Sequence, residues 1–265
     1  MGKQWQQHFM AWGGVIALLT SPVLIPYPVG AAGLGEIRQR GRLVVGVNEN
    51  VRPLAFRDEN GELQGLEIDL ARQLAQELLG SREAVVFKAV NNRDRLPLLL
   101  AGEVDLTIAR LTATPSRSRL VNFSRHYYLD GTTFITRNPR IQRLGDLVGA
   151  KIAVLEQSST IAVVRHVLHP VELVGVSSYV EALQLLELGE VDAFGGDRTI
   201  LTGWVQEHPQ YHILGVRLSG EPLAVALPKG LQHSDLYIAV NNALTRWHRS
   251  GWLQERLDYW GLGNN

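Results

Sequence analysis

Apolar and polar positions alternate after residue 41 in a pattern that predicts short buried strands separated by amphipathic helices. Residues 43–47 form a continuous apolar, largely β-branched run, which favours a buried strand. Residues 66–79 carry leucines at helical spacing and are followed by Gly80, which suits the left-handed position that ends a helix. The same criteria predict strands at residues 84–90, 105–109, 132–136, 151–155, 171–176, 192–194 and 223–227, and helices at residues 94–101, 160–168, 179–188 and 234–249. Such alternation is typical of an α/β protein with parallel strands and crossover helices.

A four-residue motif occurs twice and predicts two α/β lobes built on one plan. Gly-Glu-Val-Asp stands at residues 102–105 and again at 189–192, each time after a leucine-rich helical run and before a short apolar strand. Arg110 and Asp197 each follow the aspartate of their motif by five residues, at the carboxyl end of the predicted strand. These equivalent positions carry opposite charges, so a cleft between the two lobes would suit a zwitterion. Residues 122–130 interrupt the alternation, and we expect the chain to cross between the lobes near residues 128–131.

The composition removes several classes of function. The 26 lysines and arginines balance the 26 aspartates and glutamates, and this zero net charge argues against a partner made of nucleic acid. The chain has no cysteine, which excludes disulfides, thiolate catalysis and a lipid anchor on cysteine. It also lacks the glycine-rich dinucleotide and phosphate loops and the Gly-x-Ser-x-Gly nucleophile turn, so we expect no cofactor.

The amino end differs from the rest of the chain. Lys3 is followed by no formal charge until Glu36, residues 9–25 are mostly apolar, and residues 29–32 are small. This pattern predicts that residues 1–32 are a secretory signal peptide or, as the alternative, an uncleaved N-terminal anchor. In either case we expect the folded part to lie outside the cytoplasmic membrane, in the periplasm.

A turn after the first motif strand has the residues of an anion-binding helix start. Thr114 suits a helix N-cap and Pro115 suits the first helical turn, where free backbone N–H groups attract anions. Arg117 adds a planar guanidinium that fits a carboxylate with two parallel hydrogen bonds. The alternative is an ordinary capped helix with a solvated arginine.

The second lobe offers a similar turn and an acid. Ser159 and Thr160 follow the strand at residues 151–155, where their hydroxyl and N–H groups could hold an anion or could simply cap a helix. Asp197 follows a pair of glycines, which allow close approach of the backbone to a ligand. Its carboxylate would suit an ammonium group, although it could instead cap the helix that begins near Arg198.

The order and spacing of these motifs resemble a known family. The chain resembles the polar amino-acid solute-binding proteins that serve ABC importers, extracellular family 3, over residues 36–262. The marks are residues 41–47 (Gly-Arg-Leu-Val-Val-Gly-Val), 61–70 (Gly-Glu-Leu-Gln-Gly-Leu-Glu-Ile-Asp-Leu), 102–105, 112–117 (Thr-Ala-Thr-Pro-Ser-Arg), 122–124 (Asn-Phe-Ser) and 146–149 (Asp-Leu-Val-Gly). The resemblance implies two Rossmann-like lobes joined by a two-strand hinge, the type II periplasmic-binding-protein-like fold. Residues 33–128 plus 223–265 would form lobe 1 and residues 129–222 lobe 2, closing around a ligand by a hinge motion.

The resemblance also implies roles for single residues. Arg117 would clamp the ligand α-carboxylate, assisted by Thr112 and by the turn of Ser159 and Thr160 in the second lobe. Asp197 would take the α-ammonium, and the pocket near the ligand side chain would include Asn48, which follows the first strand. The implied partners are an amino-acid ligand and an ABC transporter permease in the membrane, and the protein is expected to act as a monomer.

Three positions depart from the family pattern. Val51 and Asn92 stand where family members often place aromatic rings, and Arg110 stands where a small residue is usual. The hypothesis is that Arg110 meets an acidic or strongly polar ligand side chain. The alternative is an ion pair with Asp197 or with a surface acid.

Two other functions compete with the binding protein. The same fold resembles cyclohexadienyl dehydratases, in which Arg117 would still clamp a carboxylate and Glu156 is the nearest candidate acid or base. A sensor module that signals by closing on its ligand is the third possibility. His166 and His169 could share a helix face and bind a metal, but their surroundings in sequence offer no obvious carboxylate ligand, so solvated histidines are expected.

Overall fold

The helices and strands of the chain belong to two α/β lobes and a small extra sheet. The structure is a computed structural model, and it describes residues 32–156 and 158–263. The strands are β1 (Leu43–Val47), β2 (Asn50–Val51), β3 (Ala55–Arg57), β4 (Leu63–Gln64), β5 (Val85–Ala89), β6 (Leu106–Thr107), β7 (Asn122–Asp130), β8 (Thr132–Thr136), β9 (Lys151–Leu155), β10 (Glu172–Val176), β11 (Ala193–Asp197), β12 (His212–Ile213) and β13 (Glu221–Leu227). The α-helices are α1 (Leu34–Arg40), α2 (Leu66–Leu79), α3 (Arg95–Leu100), α4 (Thr160–Val167), α5 (Tyr179–Leu188), α6 (Arg198–Glu207), α7 (Ser234–Ser250) and α8 (Trp252–Tyr259). Short 3₁₀ helices occupy Arg117–Arg119, Leu144–Leu147 and Leu231–His233.

Each lobe is built on a five-stranded sheet with its own core. The first sheet has the order β5-β1-β6-β13-β7 and the second the order β10-β9-β11-β8-β12. In each, the strands nearest the repeated motif run parallel, and one strand pairs with them antiparallel, β13 in the first sheet and β8 in the second. Separate clusters of buried apolar side chains lie against the two sheets. The α/β class with two lobes predicted from the sequence is therefore confirmed.

The repeated motif has one structure in both lobes. Gly102 and Gly189 have φ values of 72° and 70°, which ends the preceding helical segment in the left-handed region. The carboxylate of Asp105 accepts the N–H of Val44 at 2.7 Å, and that of Asp192 accepts the N–H of Lys151 at 2.8 Å. Each aspartate thus accepts a backbone N–H at the start of the neighbouring parallel strand. The repeated motif therefore has the same structural role in both lobes, which is to set the position of the strand that follows it.

The chain crosses between the sheets at two adjacent points. β7 lies in the first sheet and β8 in the second, so Gly131 is the first crossing, and the chain returns ahead of β13. A Cβ atom at Gly131 would lie 2.1 Å from the carbonyl oxygen of Ser219, so the two crossings touch through their backbones. Only a residue without a side chain fits at this contact.

Several predicted elements match the structure and others need correction. Predicted bounds agree for residues 43–47, 66–79, 132–136, 151–155 and 179–188. Residues 122–130, expected to be irregular, form β7, because β13 supplies a long antiparallel partner. The helix expected to begin after Thr114 is a 3₁₀ turn at Arg117–Arg119, and the strand expected at residues 105–109 is limited to Leu106–Thr107.

The amino-terminal prediction falls almost wholly outside the described residues. Of the segment 1–32, the structure describes only Ala32, which is buried. Within residues 32–156 and 158–263, none of the helices is both long enough and apolar enough to span a bilayer.

Candidate functional site

Arg110 of the first lobe and Asp197 of the second lobe form an ion pair. An Nη1 atom of Arg110 lies 2.6 Å from Oδ2 of Asp197, and the two side chains are only 18% and 24% exposed. Burial is the largest influence and opposes the guanidinium charge, but Asp197, Tyr179 and Asp130 together outweigh it, so the pKa of Arg110 is raised above its ordinary value. The two positions that the repeated motif made equivalent therefore meet between the lobes, which is the alternative that the sequence had left open for Arg110.

The backbone of Arg110 is held on both sides. Its φ of 47° lies in the left-handed region, which costs energy for a residue with a side chain. Its N–H donates to Oε1 of Glu67 at 2.6 Å, and its carbonyl oxygen accepts Nη1 of Arg95 at 2.9 Å. These two contacts fix a conformation that arginine would otherwise avoid, and they direct its side chain to Asp197.

Glu67 is a buried acid beneath Arg110 that the sequence analysis missed. Burial raises the pKa of Glu67, while hydrogen bonds from the Tyr127 hydroxyl and the Arg110 N–H oppose that rise. Its second oxygen, Oε2, is buried and has no hydrogen-bond partner among the described residues. Glu67 shares a helical face with Ala71 and Leu74, which are fully buried, so helical spacing could have identified it.

Arg95 is the second supporting residue that was missed. Its side chain is buried, and Nη1 donates to the carbonyl oxygens of Ala109 and Arg110 at 2.7 and 2.9 Å. Burial, together with the charges of Arg117 and Arg110, lowers the pKa of Arg95 to about 10. Arg95 follows the same signal as Glu67, because it stands one helical turn before the buried Leu99. The carboxyl end of β6 is therefore strongly cationic.

Arg117 lies on the same side of the cleft as Arg110. Its Nη1 donates to the carbonyl oxygen of Thr112 at 2.9 Å, and its backbone N–H donates to Oγ1 of Thr114 at 3.3 Å. Thr114 thus caps a tight turn, and the turn leads into a three-residue 3₁₀ helix, so the expected anion-binding α-helix start is absent from this described segment. What remains for a ligand is the half-buried guanidinium of Arg117 itself.

The second-lobe turn places its two hydroxyl residues differently. Ser159 is exposed at the N-cap of α4, and within the described chain its side chain makes no cap hydrogen bond. Thr160 is buried, and its Cγ2 would lie 3.4 Å from a Cβ atom at Gly195 on β11. Thr160 therefore packs beside the strand that carries Asp197, while Ser159 faces solvent.

The three remaining predicted site residues make no hydrogen bond or salt bridge with Arg110 or Asp197 in the described part of the chain. Asn48 is half-buried after β1 and accepts the N–H of Asn50 at 3.4 Å. Val51 is buried in the apolar cluster of the first lobe, and Asn92 is exposed in the turn after β5. Their contact with a ligand stays a prediction.

Asp197 occupies the N-cap of α6 without using its side chain as a cap. Its backbone is extended, and among the described residues its carboxylate makes no cap hydrogen bond and turns instead to Arg110. The capping alternative is therefore correct for the position but wrong for the side chain, which remains available to a charged partner.

Buried acids mark the crossing between the lobes. Asp130 accepts the N–H and the hydroxyl of Thr199 and the N–H of Gly131, at 3.1, 2.5 and 2.9 Å. Burial raises the pKa of Asp130, and the pKa of the half-buried Glu221 is raised by burial and by the charges of Asp197 and Asp130. Acidic side chains therefore lie at the crossing, close to the ion pair.

Helix α6 of the second lobe packs against the first lobe. A Cβ atom at Gly203 would lie 2.2 Å from the carbonyl oxygen of Arg52, so helix and loop touch through their backbones. Gln206 donates to the carbonyl oxygen of Trp260 at 3.0 Å, and Arg52 lies 3.4 Å from Glu207. The lobes therefore meet along α6 as well as at Arg110 and Asp197.

The described residues contain no group of three or more histidine, cysteine, aspartate or glutamate side chains arranged to hold a metal ion. His166 and His169 lie at exposed positions at the end of α4 and just beyond it. What the site offers chemically is fixed charge of both signs on two lobes, which suits binding of a charged small molecule.

Comparison with known proteins finds a matching family model and similar chains. A family model described as bacterial extracellular solute-binding proteins, family 3, matches residues 43–263. The chain is 28% identical to the ABC transporter glutamine-binding protein GlnH of Bacillus subtilis, covering 86% of this chain and 84% of that protein. It is 30% identical to a glutamine-binding protein of Geobacillus stearothermophilus, covering 76% and 78%. A solved structure of an ancestral cationic amino acid solute-binding protein superposes with a TM-score of 0.73 at 29% identity, covering 86% of this chain and 98% of that one.

Proposed function

Because the chain belongs to the bacterial extracellular solute-binding proteins of family 3, we propose that it captures a polar or charged amino acid between its two lobes and delivers it to an ABC importer. The named relatives are binding proteins for amino acids, which supports a binding protein over a dehydratase-like enzyme. Its place of action is outside the cytoplasmic membrane, as the family description implies. Residues 1–32 would direct export, either as a cleaved signal or as a retained anchor.

The observation that carries the ligand proposal is the meeting of opposite charges from two lobes. Arg110 and Arg117 stand on the side of β6, and Asp197 stands at the end of β11. An amino acid has a carboxylate and an ammonium group, and each would find a partner of opposite charge on a different lobe. Arg117, aided by Thr112, would hold the α-carboxylate, and Asp197 would hold the α-ammonium.

The remaining predicted residues would complete the pocket. Ser159 and Thr160 would add donors from the second lobe, while Asn48, Val51 and Asn92 would line the region of the ligand side chain. Residues 33–128 plus 223–265 would move against residues 129–222 about the contact of Gly131 with Ser219. The partners would be the ligand and a membrane permease, with a monomer as the working form.

The proposal predicts selective loss of binding when Arg117 is truncated. In thermal-shift screening against the common amino acids and prephenate, a true ligand at about 100 times its dissociation constant should add about 2.7 kcal/mol of stability. Arg117→Ala should lose most of that gain, because charge-assisted hydrogen bonds of about 1.5–3 kcal/mol each disappear. The exposed Arg119, two residues further along the same turn, gives the matched control Arg119→Ala, which should bind as the unchanged protein does.

Two results would contradict the proposal. The first is the absence of a shift with every amino acid, and turnover of prephenate alongside it would favour the enzyme. The second is an Arg117→Ala variant that binds its amino acid with unchanged affinity, because the α-carboxylate would then be held elsewhere.

A further inference from the structure

The cleft has two arginines, whereas an amino acid with a neutral side chain has only one carboxylate to pair with them. Arg110 and Arg117 stand on the first lobe, and Asp197 of the second lobe contacts Arg110. In the structure Asp197 is paired with Arg110 at 2.6 Å. An incoming ammonium group can therefore reach Asp197 fully only if Arg110 gives up its partner.

Arg110 cannot leave the cleft cheaply. Its backbone is fixed by Glu67 on one side and by Arg95 on the other, and its side chain is only 18% exposed. Its Nε atom is buried and has no hydrogen-bond partner within residues 32–156 and 158–263. A buried charge that loses its ion-pair partner is strongly destabilised, so Arg110 needs a replacement anion when Asp197 is taken.

The neighbouring charges do not offer that replacement. Glu67 accepts the backbone N–H of Arg110 and the hydroxyl of Tyr127 through Oε1, and within the described residues neither of its oxygens contacts the Arg110 guanidinium. Asp130 already accepts three hydrogen bonds, from Thr199 and Gly131 at the crossing. Glu221 accepts from Ser219 at 3.3 Å. The replacement anion must therefore come from the ligand.

We propose, on the basis of the function proposed above, that the site selects an acidic amino acid by exchanging one ion pair for two. The ligand α-ammonium takes Asp197, the side-chain carboxylate of the ligand takes Arg110, and Arg117 keeps the α-carboxylate. Two arginines and one acid on the protein are then matched by two carboxylates and one ammonium on the ligand. A neutral amino acid leaves Arg110 without a partner, and a cationic one adds repulsion.

The test is calorimetric titration of the full protein with L-glutamate, L-aspartate, L-glutamine, L-asparagine, L-arginine and 2-oxoglutarate. The acidic amino acids should bind about tenfold to a hundredfold more tightly than their amides, the range expected for charge-assisted hydrogen bonds. Binding of 2-oxoglutarate should be weaker than that of glutamate, because it has no ammonium for Asp197.

The informative variant is Arg110→Gly, because glycine adopts a φ of 47° without strain and the fold should survive. The variant should reduce the preference for glutamate over glutamine by about tenfold or more, and its arginine binding should increase, since Asp197 is freed. Arg125→Ala removes an exposed arginine from the same lobe and should leave the order of affinities unchanged.

Three results would overturn the inference while leaving the proposed function in place. They are glutamine or arginine binding as tightly as glutamate, an Arg110→Gly variant that keeps the original preference, and 2-oxoglutarate binding as tightly as glutamate. If none of the amino acids gave a measurable heat of binding, the proposed function itself would be refuted.

Discussion

A methyl group added at Gly203 would collide with the opposite lobe, and this collision tests whether α6 closes onto Arg52 when a ligand binds. The added Cβ atom would lie 2.2 Å from the Arg52 carbonyl oxygen, whereas an ordinary contact needs about 3.5 Å. Helix and loop would have to separate by roughly 1 Å, and overpacking of this kind costs about 1–3 kcal/mol. If the contact exists only in the closed state, that cost falls on closure and not on folding.

We therefore expect Gly203→Ala to lower the affinity for the ligand without lowering the stability of the fold. Ligand affinity measured by calorimetry should fall by about 5-fold to 150-fold, which is the same 1–3 kcal/mol. The unfolding free energy of the ligand-free protein, measured with urea and circular dichroism, should stay constant or rise by up to about 1 kcal/mol, because alanine favours a helix over glycine. Gly215→Ala is the control, since a Cβ atom there would meet no atom within 4 Å.

Two outcomes would refute this reasoning. An affinity within twofold of the original protein would mean that the bound state does not bring Gly203 against Arg52. A fall in unfolding free energy that accompanies the fall in affinity would mean that the two backbones touch with or without ligand, so that α6 takes no part in the hinge motion.

Other consequences concern the crossing and its acids. Gly131→Ala should lower the unfolding free energy by about 1–3 kcal/mol, or about 2–4 °C in midpoint for each kcal/mol, because its Cβ atom would lie 2.1 Å from the Ser219 carbonyl oxygen. Thermal scans of this variant with and without ligand should both shift, and an unchanged midpoint would argue against the backbone contact. The buried carboxyls of Glu67, Asp130 and Glu221 have raised pKa values in the folded state, so they hold protons more tightly there than in the unfolded chain. Their stabilising effect is complete below the unfolded pKa of about 4 and is lost as pH rises through the folded pKa. The thermal midpoint should therefore rise as pH falls from 7 towards 5, Asp130→Asn should flatten that rise, and a midpoint that only falls on acidification would refute it.

The sequence predicted the strands and helices whose bounds can be recognised from their own residues. The strands β1, β8 and β9 are short apolar runs, and α2 and α5 have helical spacing ended by a glycine, so their bounds follow from the residues themselves. Strand β7 was missed because its side chains alternate irregularly between buried and exposed, and its pairing with β13 contains register shifts. Its conformation depends on a partner almost a hundred residues away, which no local pattern can reveal.

The charged residues of the candidate site were predictable from the sequence, but the buried residues that hold them in place were not. Arg110, Arg117 and Asp197 stand out as charges at strand ends, and the structure puts two of them in contact. Glu67 and Arg95 were overlooked because a charge in a helix is usually solvated, and only the packing of both helices on the first sheet buries them. Helical spacing placed each of them on an apolar face, which is the signal that a closer inspection of the sequence could have used.

The contact between Arg110 and Asp197 follows from the repeat combined with the crossing. Each motif aspartate fixes the start of a neighbouring strand in its own lobe, so the residues five positions later lie at corresponding strand ends. The crossing at Gly131 sets those two ends face to face, and it is the contact of Gly131 with Ser219 that brings the sheets near enough for a salt bridge. Neither the motif nor the glycine predicts the bond alone. The arginine after one strand and the aspartate at the end of its equivalent therefore form one ion pair, and our proposal is that a ligand replaces the partner of each.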